Sequence, residues 1–272
     1  MRRERLFILG VAVWFVLLLA FASLARAVEF RPYKDNYIGI MWVNPHNDGL
    51  PEYAVSYDPD QVKFQVSFAT NLIEAPSLWT HIWLGYTHKA FWDIFDESSP
   101  FAENNFNPEI FLSWSPDLWK MESWQAGWEH ESNGVAGMDS RSWDRAYVAG
   151  TFKVSWRAFQ LTAFPKVWYV FNTSSQNKDI GDTDVTGLFA DDWGGSIKAW
   201  VSYKDALILD AELWSHEGTG QVRFQDDKWA NYYGFLQVYR GKGDSLIDYG
   251  NYTTEVLVGI ALGKANYYEA TK

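Results

Sequence analysis

The sequence predicts an antiparallel transmembrane β-barrel of about twelve strands, preceded by a cleaved signal peptide. Three features predict it. The chain begins with an apolar run of the kind that directs export. It combines 16 Trp and 15 Tyr residues with a mean hydropathy of only -0.25, as expected of a barrel that is apolar outside, polar inside and ringed by aromatic side chains. Alternating segments recur along the chain, and the connections between them are short at one end and long at the other.

The export signal is the first element. Three arginines among the first five residues precede an apolar run over residues 6–25, and Ala25-Arg26-Ala27 then supplies small residues for cleavage. A run of about 20 apolar residues is also long enough to span a bilayer as an uncleaved helix. We expect cleavage after Ala27. This leaves residues 28–272 as one outer membrane barrel domain, because no linker-like change in composition divides them.

The net charge bears on the possible partners, and the cysteine content bears on how the domain is stabilised. The net charge of -11 argues against nucleic acid, because phosphate binding needs clustered Lys and Arg. Acidic loops could serve solubility alone, or they could attract divalent cations at the outer rim. The chain contains no cysteine, so no disulfide framework stabilises the domain.

Period-two alternation predicts the strands. In the segment 62–68, Val and Phe occupy one face, while Lys, Gln and Ser occupy the other. Similar segments lie near residues 37–43, 79–91, 108–115, 121–132, 144–153, 159–170, 190–203, 205–215, 218–225, 229–240 and 253–263. Short turns are expected at 115–117, 203–205 and 226–228, and long connections at 92–107, 133–143, 171–189 and 241–252. A lipocalin-like barrel or a β-sandwich would also alternate, but its outward faces would carry many charges in place of Trp, Phe, Val and Leu.

The strand predicted to end at Ser132 carries groups suited to catalysis. Its alternate positions Trp124, Ala126 and Trp128 lead to His130 and Ser132 on the same face. A base beside a hydroxyl is the minimum for a nucleophilic site. By itself a His-x-Ser pair is more often an ordinary strand end. If this face meets lipid, however, the pair lies at the membrane rim, where lipid esters arrive.

Two sequence blocks resemble a known family. They are His130-x-Ser132-Asn133-Gly134 and Ser140-Arg141-Ser142-Trp143-x-Arg145. With them, the chain resembles the outer membrane phospholipase A family of Gram-negative bacteria over nearly all of its mature length. Weaker single matches lie at residues 60–65, 85–87, 97–101, 107–111 and 243–249. The resemblance implies a twelve-stranded barrel with a serine hydrolase site on its outer wall, active as a calcium-bound homodimer.

The resemblance also implies a role for each residue of the site. Ser132 would attack the acyl carbonyl of a phospholipid, at either the sn-1 or the sn-2 ester. His130 would be the general base that later protonates the leaving lysolipid oxygen, and Asp144 would orient its imidazole. The backbone N–H of Gly134, with a calcium-bound water, would stabilise the oxyanion.

Calcium prefers hard oxygen ligands. By resemblance these would be the hydroxyl of Ser140, the carbonyl of Val135 and the carbonyl of Ser98 of the partner subunit. Val135 replaces what is an arginine in the family, which matters little if only its carbonyl binds. The loop 172–175 has hydroxyls where the family tends to carry acidic residues, so a second calcium site there is not expected.

Two further departures concern the triad and the dimer. Asp144 stands where the family usually has asparagine, and it shares a strand face with the apolar Ala146 and Val148. A carboxylate stabilises an imidazolium, but at a lipid-facing position it is costly unless it is paired with His130 or a metal. His88 stands where the family's dimer contact is a glutamine, and dimerisation is still expected because histidine can hydrogen-bond across an interface.

Two other functions compete with the phospholipase. A passive barrel, either a pore or an adhesin, would share the strands and the aromatic girdle, but it gives no reason for His130, Ser132 and Asp144 to gather on one outer face. The other alternative is a relative that Asp144 has made catalytically inactive.

Overall fold

The computed structural model describes residues 29–46, 61–75, 80–115, 121–173, 193–203, 207–214, 218–224, 232–242, 244–247 and 252–262. The chain divides into two units, residues 1–30 and 31–272. The predicted signal peptide, residues 1–27, lies outside the described residues and stays a prediction, as does its boundary with the barrel domain at residue 28. Among the described residues there is no helix long and apolar enough to cross a membrane.

The described residues from Phe30 onward lie mostly in strands. They are β1 (Phe30–Pro32), β2 (Asn36–His46), β3 (Gln61–Ala75), β4 (Thr80–Trp92), β5 (Phe101–Trp114), β6 (Met121–Ser132), β7 (Ser142–Trp156), β8 (Phe159–Thr173), β9 (Trp193–Tyr203), β10 (Leu207–Trp214), β11 (Gly218–Phe224), β12 (Tyr232–Lys242) and β13 (Tyr252–Leu262). A 3-10 turn, Gly137–Asp139, lies between β6 and β7.

The twelve longer strands close on themselves. Each pairs antiparallel with its neighbour in the chain from β2 to β13, β13 pairs with β2, and the pairing of β2 with β3 and of β3 with β4 completes the ring. A closed antiparallel barrel leaves no unpaired sheet edge, which a membrane-spanning sheet requires. The prediction of an all-β barrel of about twelve strands is therefore confirmed for the part of the chain that the structure describes.

One segment was assigned wrongly from sequence. Residues 92–107 were expected to form a long connection, but β5 begins at Phe101. The first half of this strand turns Glu103, Asn105 and Asn107 into the barrel, where all three are buried. The outward positions Ala102, Asn104 and Phe106 include a polar residue, so the two faces contrast little and the segment lacks the alternation by which the other strands are recognised.

The outer wall is apolar. On β2, Ile38, Ile40 and Trp42 are 41–50% exposed, while the intervening Tyr37 and Met41 are buried. The same alternation of exposed apolar side chains continues around the barrel, for example at Leu84, Ile110, Val148, Val167, Leu236 and Val258. Apolar side chains on the outward strand faces are what a hydrocarbon environment requires.

The barrel interior is filled with paired charges. Glu129 is 1% exposed and accepts hydrogen bonds from Lys34, Arg145 and Lys166 at 2.6–2.9 Å. Lys34 lies in the segment that precedes β2, so this segment reaches into the network of the distant strands. Asp35 from the same segment pairs with Lys198 at 2.7 Å. A cavity of ≈ 180 Å³ remains among these side chains.

A second buried cluster includes the connection between β12 and β13. Asp244 from this connection pairs with Lys63 and Lys89. Burial raises the pKa of the Asp244 carboxyl, but the two ammonium groups outweigh burial and hold it well below its usual range. Neighbouring strands run in opposite directions, so all connections that follow an even-numbered strand lie at the same end of the barrel. The connection between β12 and β13 therefore lies at the same end as the connection between β6 and β7.

Candidate active site on the outer wall

The face of β6 that carries Trp128, His130 and Ser132 points outward, as the sequence predicts. Gln125 and Glu129 are fully buried in the barrel, whereas Trp128 is 39% exposed on the outside. His130 and Ser132 continue this outward face, and both are half-buried. The ring of Trp128 stacks near that of His130 at 6.2 Å between centroids. The two candidate catalytic side chains therefore lie on the apolar outer wall, at the end of the barrel where β6 ends.

Strand pairing brings Asp144 to this face. In the register between β6 and β7, His130 lies directly opposite Asp144, and Ser132 lies opposite Ser142. The Nδ1 atom of His130 is 2.8 Å from Oδ1 of Asp144. A carboxylate at this distance fixes the imidazole with Nδ1 as the donor, which leaves Nε2 as the basic atom. Sequence reasoning predicted all three residues, and the structure brings His130 and Asp144 together and leaves Ser132 two positions along the same face.

Sequence reasoning missed Asn172. The sequence predicts a loop at this residue, but it belongs to β8 and donates from Nδ2 to Oδ2 of Asp144 at 2.6 Å. A β-bulge between β7 and β8 puts it there, since Asp144 pairs with Asn172 and the next residue, Arg145, pairs with Val170. The remainder of the segment 172–175, from residue 174, lies outside the described residues.

A proline interrupts the ladder beside His130. Strands β5 and β6 pair at Phe106 with Ser132 and at Glu109 with Glu129, with no pair between. Pro108 lies in this gap and has no N–H to donate. The side chain of Asn107 donates from Nδ2 to the carbonyl of His130 at 2.7 Å instead. Lys34 in turn donates to Oδ1 of Asn107 at 2.8 Å, so the ion network inside the barrel helps to hold the backbone of the strand that carries His130.

The Asn107 contact gives a testable expectation. Asn107→Ala should lower kcat/KM for the reaction proposed below by about fivefold, because a typical hydrogen bond contributes about 1 kcal/mol and this one fixes the backbone that carries His130. Asn105→Ala is the matched control, since it removes a buried amide two positions earlier, which donates to Glu103 at 2.7 Å. Equal effects of the two variants on kcat/KM would contradict a special role for Asn107.

Asn133 shapes the loop that follows Ser132. Its side chain is buried and accepts hydrogen bonds from the backbone N–H groups of Val135 at 3.3 Å and Arg141 at 3.0 Å. It also donates to the carbonyl of Asp139 at 2.8 Å. These bonds tie both ends of the loop to one side chain, so the peptide groups near Gly134 are held by the fold.

Two features of the structure favour glycine at position 134. Its φ of +68° lies in the left-handed region. A Cβ atom at this position would lie 2.8 Å from Cε2 of Phe106. Within the described residues the N–H of Gly134 has no hydrogen-bond acceptor, which fits the oxyanion donor that the sequence predicted.

The predicted calcium ligands lie on two connections at the same end of the barrel. Val135 is 46% exposed, next to Gly134, and Ser140 begins the approach to β7. Ser98 lies between β4 and β5 with a φ of +68°, and Ser99 follows at +44°. Two consecutive left-handed residues other than glycine are strained, and such strain concentrates at functional sites.

These donors suit a hard cation. Among the residues that the structure describes, no three His, Cys, Asp or Glu side chains form a metal cluster. The predicted set contains carbonyl and hydroxyl oxygens only, so it does not depend on such a cluster. Oxygen donors of this type are those that calcium takes, and the loop that supplies Val135 and Ser140 is braced by Asn133. The residues present therefore fit calcium.

His88 faces outward on β4, as a contact between subunits requires. Its Nε2 atom is 3.0 Å from Oδ1 of Asn104, and its ring lies against Phe106 with 4.8 Å between centroids. The ring of Phe106 also lies beside Gly134. The predicted dimer face and the candidate site therefore share one outer surface across β4, β5 and β6.

Comparison with known proteins decides the family. A family model described as Phospholipase A1 matches residues 19–262. The chain belongs to the phospholipase A1 family. Phospholipase A1 of Klebsiella pneumoniae is 32% identical over 251 residues, which is 85% of this chain and 81% of that protein. The resemblance found in the two sequence blocks is thereby confirmed.

Solved structures agree with the family assignment. The crystal structure of the Salmonella typhi outer membrane phospholipase dimer with bound calcium has a TM-score of 0.70 at 26% identity, over 88% of this chain and 94% of that one. The Escherichia coli outer membrane phospholipase A has a TM-score of 0.68 at 27% identity, over 88% and 93%. The family and the barrel fold place this chain in the outer membrane and identify it as a phospholipase.

Proposed function

We propose that this protein hydrolyses the sn-1 and sn-2 acyl esters of phospholipids, and of lysophospholipids, in the outer membrane, as a calcium-dependent homodimer. The observation that carries the proposal is the His130–Asp144 pair at 2.8 Å on the outer, lipid-facing wall, two residues from Ser132 on the same face. A serine hydrolase site usually lies in a pocket of the protein. Here the substrate is the surrounding lipid, so an outward site needs no pocket.

The reaction follows from the atoms at the site. Oγ of Ser132 forms a bond to the acyl carbonyl carbon while Nε2 of His130 takes its proton. The ester C–O bond then breaks, and the imidazolium gives this proton to the leaving lysolipid oxygen. Water repeats both steps on the acyl-enzyme, releasing the fatty acid and restoring Ser132. Asp144 holds Nδ1–H throughout and stabilises the imidazolium.

The oxyanion needs donors that are in place before the reaction. The N–H of Gly134 is suited to this role, because the bonds made by Asn133 fix the loop around it. Calcium, bound by the Ser140 hydroxyl and the carbonyls of Val135 and of Ser98 of the partner subunit, would supply a positive field beside the same oxygen. The Salmonella typhi outer membrane phospholipase is a dimer with bound calcium, which supports this assignment.

The calcium assignment predicts the behaviour of Ser140. Ser140→Ala should raise the calcium concentration needed for half-maximal activity by about tenfold or more, because it removes one ligand and leaves the carbonyls. Activity at saturating calcium should recover in large part. Ser142→Ala is the matched control, since it removes a hydroxyl two residues further on. A calcium dependence that is the same for both variants and the wild type would contradict the role of Ser140.

The proposed reaction is tested by fatty acid release from mixed micelles. Phospholipids labelled separately at the sn-1 and sn-2 acyl chains would be given to the refolded protein with calcium or with EDTA, while cross-linking reports the oligomeric state. We expect both labels to be released, with calcium only, by the dimer. No release by a folded, calcium-loaded dimer would favour the passive barrel or the inactive relative.

A further inference from the structure

Asp144 has two carboxylate oxygens, and each has a different partner. Oδ1 faces Nδ1 of His130 at 2.8 Å, and Oδ2 accepts from Nδ2 of Asn172 at 2.6 Å. The side chain of Asp144 is only 12% accessible, on the wall that faces lipid. A carboxylate in such a place is stabilised only if its lone pairs are occupied. The triad alone gives Oδ2 of Asp144 no donor, and Asn172 supplies one.

The backbone places Asn172 there by a deviation from regular pairing. Val170 is 4% exposed and points into the barrel, and Phe171 is 54% exposed and points out. By simple alternation Asn172 would point inward. The bulge, which pairs Asp144 with Asn172 and Arg145 with Val170, leaves Phe171 unpaired and returns Asn172 to the outer face.

We propose that Asn172 is a positioning residue for the reaction, because it fixes the carboxylate plane of Asp144 and through it the ring of His130. The inference rests on the proposed serine hydrolase function and adds a fourth residue to its site. It also explains how the chain accommodates an aspartate where the family usually has an asparagine. The carboxylate at 144 and the amide at 172 are complementary, since one accepts what the other donates.

This complementarity can be tested by changing one partner at a time. Asn172→Asp alone places two carboxylates together, which repel. The swap Asp144→Asn/Asn172→Asp removes this repulsion, because the amide at 144 presents its carbonyl oxygen to Nδ1–H of His130 and donates to the carboxylate at 172. Asp144→Asn alone removes the charge beside the imidazolium but keeps a pairing with residue 172, because the amide of Asn172 can turn to accept.

The test measures kcat and KM for fatty acid release by the calcium-loaded protein. Asn172→Ala should lower kcat by about tenfold or more, with KM changed less than twofold, since the lost bond is to a charged group and touches no substrate. Asn172→Asp should lower kcat further, and the swap should recover at least about tenfold over Asn172→Asp. Thr173→Ala, the next residue on β8, is the control and should keep kcat within twofold.

Thermal unfolding of each variant shows whether the barrel is intact. Wild-type kcat in a folded Asn172→Ala protein would overturn the proposal, and so would a swap no more active than Asn172→Asp. These outcomes are distinct from a failure of the proposed function, in which the wild type itself releases no fatty acid and the inference falls with it. A loss of kcat in Asn172→Ala with rescue by the swap supports both.

Discussion

Ser132→Ala should lower fatty acid release by at least about a thousandfold while the barrel remains folded. Removal of the nucleophile from a serine hydrolase leaves only the catalysis supplied by the oxyanion donors and binding. Ser132 is half-buried on the outer wall, and the loss of its hydroxyl leaves no void in the interior. The measurement is the initial rate of release from mixed micelles at saturating calcium, with thermal unfolding as the check on folding.

Ser142→Ala distinguishes nucleophilic catalysis from a general effect on this end of the barrel. Ser142 lies directly opposite Ser132 in the register of β6 and β7. The proposal assigns it no role, so its removal should leave the rate within a fewfold of the wild type. A folded Ser132→Ala protein that keeps more than a tenth of the activity would show that Ser132 is not the nucleophile.

Glu129→Gln should destabilise the barrel by about 3–5 kcal/mol, the usual cost of removing one partner from a buried ion network. Glu129 is 1% exposed and pairs with Lys34, Arg145 and Lys166 at once. The amide removes the carboxylate charge that these three largely buried cations share. Activity should fall as well, because the neighbouring residue is His130. The measurement is the denaturant midpoint of unfolding in detergent micelles.

The matched control for this prediction is on the same strand. Glu122 pairs with Lys153 at 2.8 Å, but its side chain is 37% accessible. Exposed ion pairs contribute about 0–1 kcal/mol, so Glu122→Gln should leave the midpoint nearly unchanged. If both variants unfold at the wild-type midpoint, the interior network does not contribute to stability as described.

The fold was predictable from sequence because most strands carry apolar residues on the lipid face. That alternation locates β2, β6 and β13 to within a few residues of their observed bounds. It fails at the start of β5, where the outward Asn104 is as polar as the inward Glu103 and Asn105. Near the rim of a barrel the outward and inward faces of a strand can both be polar. The period-two alternation of apolar and polar residues that predicts a strand is then absent.

The site was predictable in part. A strand face and the family resemblance together predict His130, Ser132 and Asp144. The observed register explains why His130 and Asp144, 14 residues apart in the chain, meet. Asn172 was missed because a bulge changes the face of one residue without a mark in the sequence. The support from Asn107 and Lys34 depends on partners 23 and 73 positions apart in the chain, which only the closed barrel brings together.

The central claim, that Ser132 is an activated nucleophile on the outer wall, is tested most directly by covalent labelling. The calcium-loaded protein would be treated with a sulfonyl fluoride carrying a long alkyl chain, and the modified peptide would be located by mass spectrometry. We expect one adduct per chain, on Ser132, whose formation is slowed strongly in His130→Ala. An active wild-type protein that is modified at another residue, or remains unmodified at Ser132, would contradict the account.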